Sequence, residues 1–200
     1  MNNLQFKSVV SNLIMLNLVF FLITWLLPQF TPWIDQHLAL WYWEDPRFSP
    51  IQLLSYMFLH ANMSHIFFNM FALWMFGRQL EYDLGSQRFL VYYLITGIGA
   101  GILNLLVMQI TGDYGVTIGA SGAVFGVLLA FGLLHPNERL LLLIPPVPIK
   151  AKYFVMAYGA LELFQGVAIS DNVAHFAHLG GMLFGAILLF YWRAKRKITF

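Results

Sequence analysis

The chain contains no cysteine. Disulfides, thiolate nucleophiles and Cys-ligated metals are therefore excluded, while the redox compartment stays open. Charge is the second scarcity. Asp, Glu, Lys and Arg make up 10% of the 200 residues, against 60% apolar residues. Soluble domains carry about a quarter charged residues, and those charges supply much of their polar surface. This chain cannot cover itself that way, and its apolar residues come in long runs, so the expectation is a membrane protein. A spanning helix takes about 20 residues, so six spans with modest loops would use the whole chain and leave no sizeable soluble domain. Lys7 and the apolar run behind it imitate a signal peptide, but no small-x-small cleavage site follows, and the run reads as a retained first helix.

The expected fold is all-α: a single polytopic domain over 1–200 with spans at about 9–27, 63–80, 89–109, 119–134, 149–164 and 173–192. Pro28 ends the first span and Pro136 stops the fourth. The fourth and fifth are short for a 30 Å hydrocarbon core, which implies ends lined by protein or water. Lys7, Arg78, Arg88, Arg139, Lys150, Lys152, Arg193, Lys195, Arg196 and Lys197 then fall on one side, and of the eleven Lys and Arg only Arg47 falls on the other. The positive-inside rule puts both termini in the cytoplasm. The final basic cluster is accounted for as a stop-transfer anchor and calls for no nucleic acid. Trp33, Trp41, Tyr42 and Trp43 suit a first loop lying at the outer interface. Residues 140–149, with Pro145, Pro146 and Pro148, read as an irregular connection.

Polar groups inside apolar helices are costly and often functional. Three sets stand out. Gly119-Ala120-Ser121-Gly122 opens the fourth span, where flanking glycines allow close backbone approach and unpaired N–H groups lie nearby. Such a serine also serves as a cap or a packing residue. His175 and His178 begin the sixth span. A neutral His178 could take a proton from an attacking serine, and Gly181 and Gly185 share its stripe, suited to close helix packing. A packing stripe with a hydrogen-bonded histidine is the plainer reading. His175 reads as more solvent-exposed and of lesser weight. His60, His65 and Asn69 begin the second span, with His65 and Asn69 on one face, both able to donate hydrogen bonds to developing oxyanion charge. All three sets lie at the outer ends of their helices, which favours chemistry just below the outer surface. Asp171 is poorly placed for His178, so a Ser–His dyad is expected.

These residues resemble a rhomboid intramembrane serine protease of the bacterial, six-helix core form. The matching pieces are His65-x-x-x-Asn69, Gly77-x-x-x-Glu81, Gly119-x-Ser121-Gly122 and Ala177-His178-x-x-Gly181-x-x-x-Gly185. The resemblance implies Ser121 as nucleophile and His178 as base and then acid. It also implies His65, Asn69 and the Ser121 N–H as an oxyanion site, with Gly181 and Gly185 allowing span 6 to pack on span 4. Substrates would be single-span membrane proteins entering from the bilayer and cut near their outer boundary, without metal or cofactor. The resemblance further implies a plasma-membrane, multi-pass protein. Two positions depart from the family pattern. The residue four after Ser121 is Phe125, which can stack on a histidine but has no hydroxyl, where tyrosine is common. The first loop has Trp43 and a separate Arg47 in place of a Trp-Arg pair. Competing readings are a catalytically inactive rhomboid-like binding protein and a small transporter using Glu162, the histidines and Asn69. The transporter lacks a visible repeated half, and Glu162 reads as a helix partner or near-interface group. A zinc protease lacks His-Glu-x-x-His.

Overall fold

The computed structural model describes residues 8–141, 146–168, 174–195 and 197–198. Lys7, Pro145, Asp171, Val173 and Arg196, each used in the sequence reading, lie outside them. The protein is mostly helical. Helix α1 (Val9–Leu26) is followed by a short turn and α2 (Thr31–Leu38), then by the one-turn α3 (Gln52–Ser55). Helices α4 (Met63–Ala72) and α5 (Arg78–Leu84) are joined through a π-helical segment, Leu73–Gly77, into one helical path. Then come α6 (Ser86–Thr111), α7 (Ser121–Leu134), α8 (Ala151–Ala168) and α9 (His175–Ala194). By length and composition α1, α6 and α9 are able to cross a membrane, and α7 is an apolar helix of the shorter class.

Small residues decide how α6, α7 and α9 meet. A Cβ on Gly181 would stand 1.8 Å from the Gly122 carbonyl oxygen, and one on Gly180 would stand 2.9 Å from the Ala100 Cα. Backbone therefore touches backbone across both contacts, as close packing of apolar helices without a hydrophobic drive requires. Two buried tyrosines tie the helices from the side: Tyr92 Oη donates to the Gly126 carbonyl at 2.8 Å, and Tyr56 Oη to the Gly97 carbonyl at 2.7 Å.

Helix α1 is fixed by a residue far along the chain. Glu81 accepts hydrogen bonds from Ser8 Oγ at 2.5 Å, Val9 N at 2.8 Å, Val10 N at 3.1 Å and Ser86 Oγ at 2.7 Å. The Val9 and Val10 N–H groups are orphan donors of a helix start, met by a carboxylate that also suits the positive end of the helix dipole. Gly77, one turn before Glu81, leaves room for Val10, Leu73 and Phe89.

Two connections differ from their sequence reading. The two ends of the stretch around 140–149 are regular: Arg139–Leu141 (β1) and Pro148–Lys150 (β2) pair antiparallel, with Arg139 opposite Lys150. Pro148 is tolerated in β2 because a two-stranded ribbon has only edges. In the first loop, Tyr42 is buried and donates to Gln109, whose side chain also accepts from Trp43 Nε1 at 3.0 Å. These two rings are therefore tied to α6 and do not act only as interface anchors. The Arg47 guanidinium lies 3.3 Å from the centre of the Trp41 ring and grips Asp45 with two N–H groups. A Trp and an Arg thus pair in this loop after all, six positions apart in sequence. Those Arg47 hydrogen bonds hold the Asp45 carboxyl down to about 2.

Candidate active site

The segment before α7 is built to present Ser121. Leu40 and Thr117 exchange two backbone hydrogen bonds at 3.0 Å, and Asn104 Nδ2 donates to Thr117 Oγ1 at 2.8 Å. Gly119 N donates to the Tyr56 carbonyl at 2.9 Å. Gly119 has φ +124, a left-handed value that favours glycine, and a Cβ there would strike His65 Nε2 at 2.7 Å. The chain turns sharply at this point, and Ser121 becomes the first residue of α7. Its N–H and those of Gly122 and Ala123 belong to the unpaired first turn.

Ser121 Oγ lies 2.8 Å from His178 Nε2. The approach depends on the Gly122–Gly181 contact, since any larger residue would push α9 away. Phe125 lies flat on His178, with ring centroids 4.3 Å apart and planes 5° from parallel, and Tyr158 stacks on the far face of Phe125 at 5.3 Å. Gly185, one turn beyond Gly181, faces the Tyr92 hydroxyl.

The other imidazole nitrogen overturns part of the sequence reading. His178 Nδ1 is 2.7 Å from Glu162 Oε2, and His175 Nδ1 is also 2.7 Å from that oxygen. All three side chains are buried. Glu162 is a helix partner, as one of its two sequence readings has it, joining α8 to α9, and His175, at 5% exposure, is not solvent-exposed. The expected dyad has a carboxylate behind it. The sequence carried one usable signal for this: a carboxylate in an apolar helix must find a partner, and two histidines in the following helix were available.

His65 is capped into place. Asn62 Oδ1 accepts from His65 N at 2.9 Å at the start of α4. His65 Nδ1 accepts from the Ala61 N–H at 3.3 Å, so a neutral ring carries its proton on Nε2, the nitrogen that abuts Gly119. Asn69 donates one N–H to the His65 carbonyl at 2.9 Å, and its amide has a second. His60 packs edge-on against His65 at 4.8 Å. Burial and the neighbouring His65 push His60 down to about 3, so its ring is neutral.

Glu162, His175 and His178 could offer ligand atoms within 4.8 Å of one another to a metal ion. Two hydrogen bonds already account for the cluster. Ligand atoms held about 2.0–2.1 Å from a tetrahedral ion would stand roughly 3.3 Å apart, wider than the 2.7 Å between carboxylate and each ring nitrogen.

Fold and site together define a multi-pass membrane protein with a serine, a histidine and a carboxylate in sequence at one end of its helices. Comparison with known proteins narrows this further. The Rhomboid domain matches residues 47–195. "Rhomboid protein 1, mitochondrial" of Saccharomyces cerevisiae is 30% identical over 194 residues, covering 96% of this chain and 55% of the yeast protein. "Presenilin-associated rhomboid-like protein A, mitochondrial" of Danio rerio is 30% identical over 202 residues, covering 96% of this chain and 51% of the fish protein. "RHOMBOID-like protein 2" of Arabidopsis thaliana is 33% identical over 156 residues, covering 74% of this chain and 46% of the plant protein. The chain belongs to the rhomboid family, and it spans about half the length of these relatives.

Proposed function

We propose that the protein is an intramembrane serine endopeptidase whose nucleophile is Ser121 and whose general base is His178. The observation that carries this reading is the 2.8 Å contact between Ser121 Oγ and His178 Nε2, made by residues from two different helices at the end where α7 and α9 begin. Family membership supports it.

In the proposed reaction the Ser121 hydroxyl gives its proton to His178 Nε2 as Oγ bonds to the scissile carbonyl carbon. The carbonyl oxygen becomes an oxyanion. The Ser121 N–H, the His65 Nε2–H and the second Asn69 N–H are the donors available for it, and removing one such donor typically costs about 3–4 kcal/mol in barrier. Collapse breaks the C–N bond, and the proton on His178 passes to the leaving amine. Water then attacks the acyl carbon, giving its proton to His178; the C–Oγ bond breaks, His178 returns the proton to Ser121 Oγ, and the carboxyl product leaves. The substrate helix must unwind locally first, because its carbonyls are hydrogen-bonded. Single-span membrane proteins entering from the bilayer are the proposed substrates, which makes the six-span arrangement part of the same reading.

The proposed location is a plasma membrane with both termini cytoplasmic. The charge asymmetry alone supports it. The yeast and fish relatives are mitochondrial by name and lend it nothing. A reporter fused to the C-terminus reads the orientation directly.

The deciding experiment uses the full chain in detergent or liposomes. A fluorophosphonate probe labels the wild type and not Ser121→Ala, and a model single-span substrate is cut by the wild type alone. Cleavage by a folded Ser121→Ala protein, or a wild type that neither labels nor cuts, defeats the reading. The second outcome returns the chain to an inactive binding role.

A further inference from the structure

We infer that Glu162 is a positioning residue for His178, so that the reacting pair is a Ser–His–Glu triad in which the carboxylate selects the nitrogen that faces Ser121. This rests on the protease reading above.

Two contacts divide the task of holding the imidazole. Phe125, stacked at 4.3 Å, fixes the plane of the ring, but an apolar ring face does not distinguish Nδ1 from Nε2. Glu162 does. An ionised carboxylate is acceptor-only, so an Nδ1 at 2.7 Å from Oε2 must carry a hydrogen. The neutral ring then has its lone pair on Nε2, toward Ser121. The opposite tautomer would present a donor to the hydroxyl and leave no base. The same carboxylate also favours the imidazolium that forms as Ser121 attacks.

His175 completes the arrangement. Its Nδ1 also stands 2.7 Å from Glu162 Oε2, giving the buried carboxylate a second hydrogen-bond partner, as a buried polar group needs. Among the described residues, the titratable groups facing His178 are Ser121 on α7, Glu162 on α8, His175 on its own helix and His65 on α4. Tyr158 on α8 faces Glu162. Glu162 is the only acid among these described groups, so its removal takes away the carboxylate that faces His178.

The test uses purified full-length protein and the variants Glu162→Gln and Glu162→Asp. Glu162→Gln is expected to lower kcat by roughly 10²–10⁴-fold, as at other triads whose acid is made an amide. KM should stay within about threefold, because the carboxylate touches no substrate. The acid limb of kcat/KM should move to lower pH, because the imidazolium has lost its counter-charge. Glu162→Asp should recover part of the rate. Nitrogen NMR of labelled histidine in the wild type, above the acid limb, should show His178 protonated at Nδ1. A chelator should leave the rate unchanged.

A folded Glu162→Gln protein with kcat within about twofold of wild type and an unmoved acid limb overturns the inference. So does a wild-type His178 protonated at Nε2, or a rate lost to the chelator. The NMR measurement needs neither catalysis nor a stable variant. If the wild type fails to cleave yet shows the Nδ1 tautomer, the protease reading falls and the hold of Glu162 on His178 stands.

Discussion

Phe125 covers the face of His178 as a parallel ring, 5° off plane, and is itself covered by Tyr158. The stack needs only the aromatic face, which explains how this chain does without the hydroxyl common at the position. Phe125→Tyr is accordingly expected to keep kcat within about threefold. Phe125→Ala removes the support and opens a void at a buried site, where such a change costs about 3–5 kcal/mol. Substrate cleavage and thermal unfolding in detergent, measured on both variants, check the contrast.

The backbone contact of Gly181 with Gly122 predicts a sharp positional sensitivity. Gly181→Ala places a methyl where the Gly122 carbonyl already is, 1.8 Å away. The helices must separate, and the Ser121–His178 hydrogen bond goes with them. Loss of fluorophosphonate labelling and a large drop in unfolding temperature are expected. Gly115→Ala meets nothing within 4 Å and should change stability by less than about 0.5 kcal/mol.

Glu81 gives a pH prediction. Burial pushes its carboxyl up, but hydrogen bonds from Ser8, Ser86, Val10 and Val9 outweigh that, and it lies below its ordinary value of 4.5. A depressed folded-state value means stability present above the unfolded value and lost as pH falls through the folded one. Unfolding temperature should therefore decline as pH drops below 4.5. Glu81→Gln should lose about 1 kcal/mol at neutral pH, the usual worth of a cap, and should flatten that decline.

His65 and Asn69 separate by kinetics. His65→Ala removes a ring whose Nε2–H abuts Gly119, and kcat should fall about 10²-fold or more. Asn69→Ala should fall less, because one of its N–H groups is spent on the His65 carbonyl. If both variants cleave at the wild-type rate, the oxyanion donors lie elsewhere.

Residues flagged by glycine spacing were legible in the sequence, and those defined by helix rotation were not. Gly119 and Gly122 around Ser121, and Gly181 after His178, announce close approach because no other residue type tolerates it. Helix positions could be read from apolar runs bounded by proline and glycine, since a run long enough to cross a bilayer has few alternatives. The pairing of Glu162 with His178 in particular escaped, because one carboxylate in an 18-residue helix can call for a partner without showing which way its turn faces. The direction comes from how α8 rests on α9. The pairing of Leu40 with Thr117 and the short β ribbon were equally hidden, since both are set by partners distant in the fold or by three-residue strands too short for a pattern.

Helix α8 buries only Ala151, Val155 and Glu162 among its described side chains. Its single buried carboxylate is thus both a fastening to α9 and the group that orients His178. A displacement of α8 of even a few ångströms would break the fastening and take the carboxylate from His178 in one event. The placement of α8 and the orientation of the base are thus coupled through the same two hydrogen bonds.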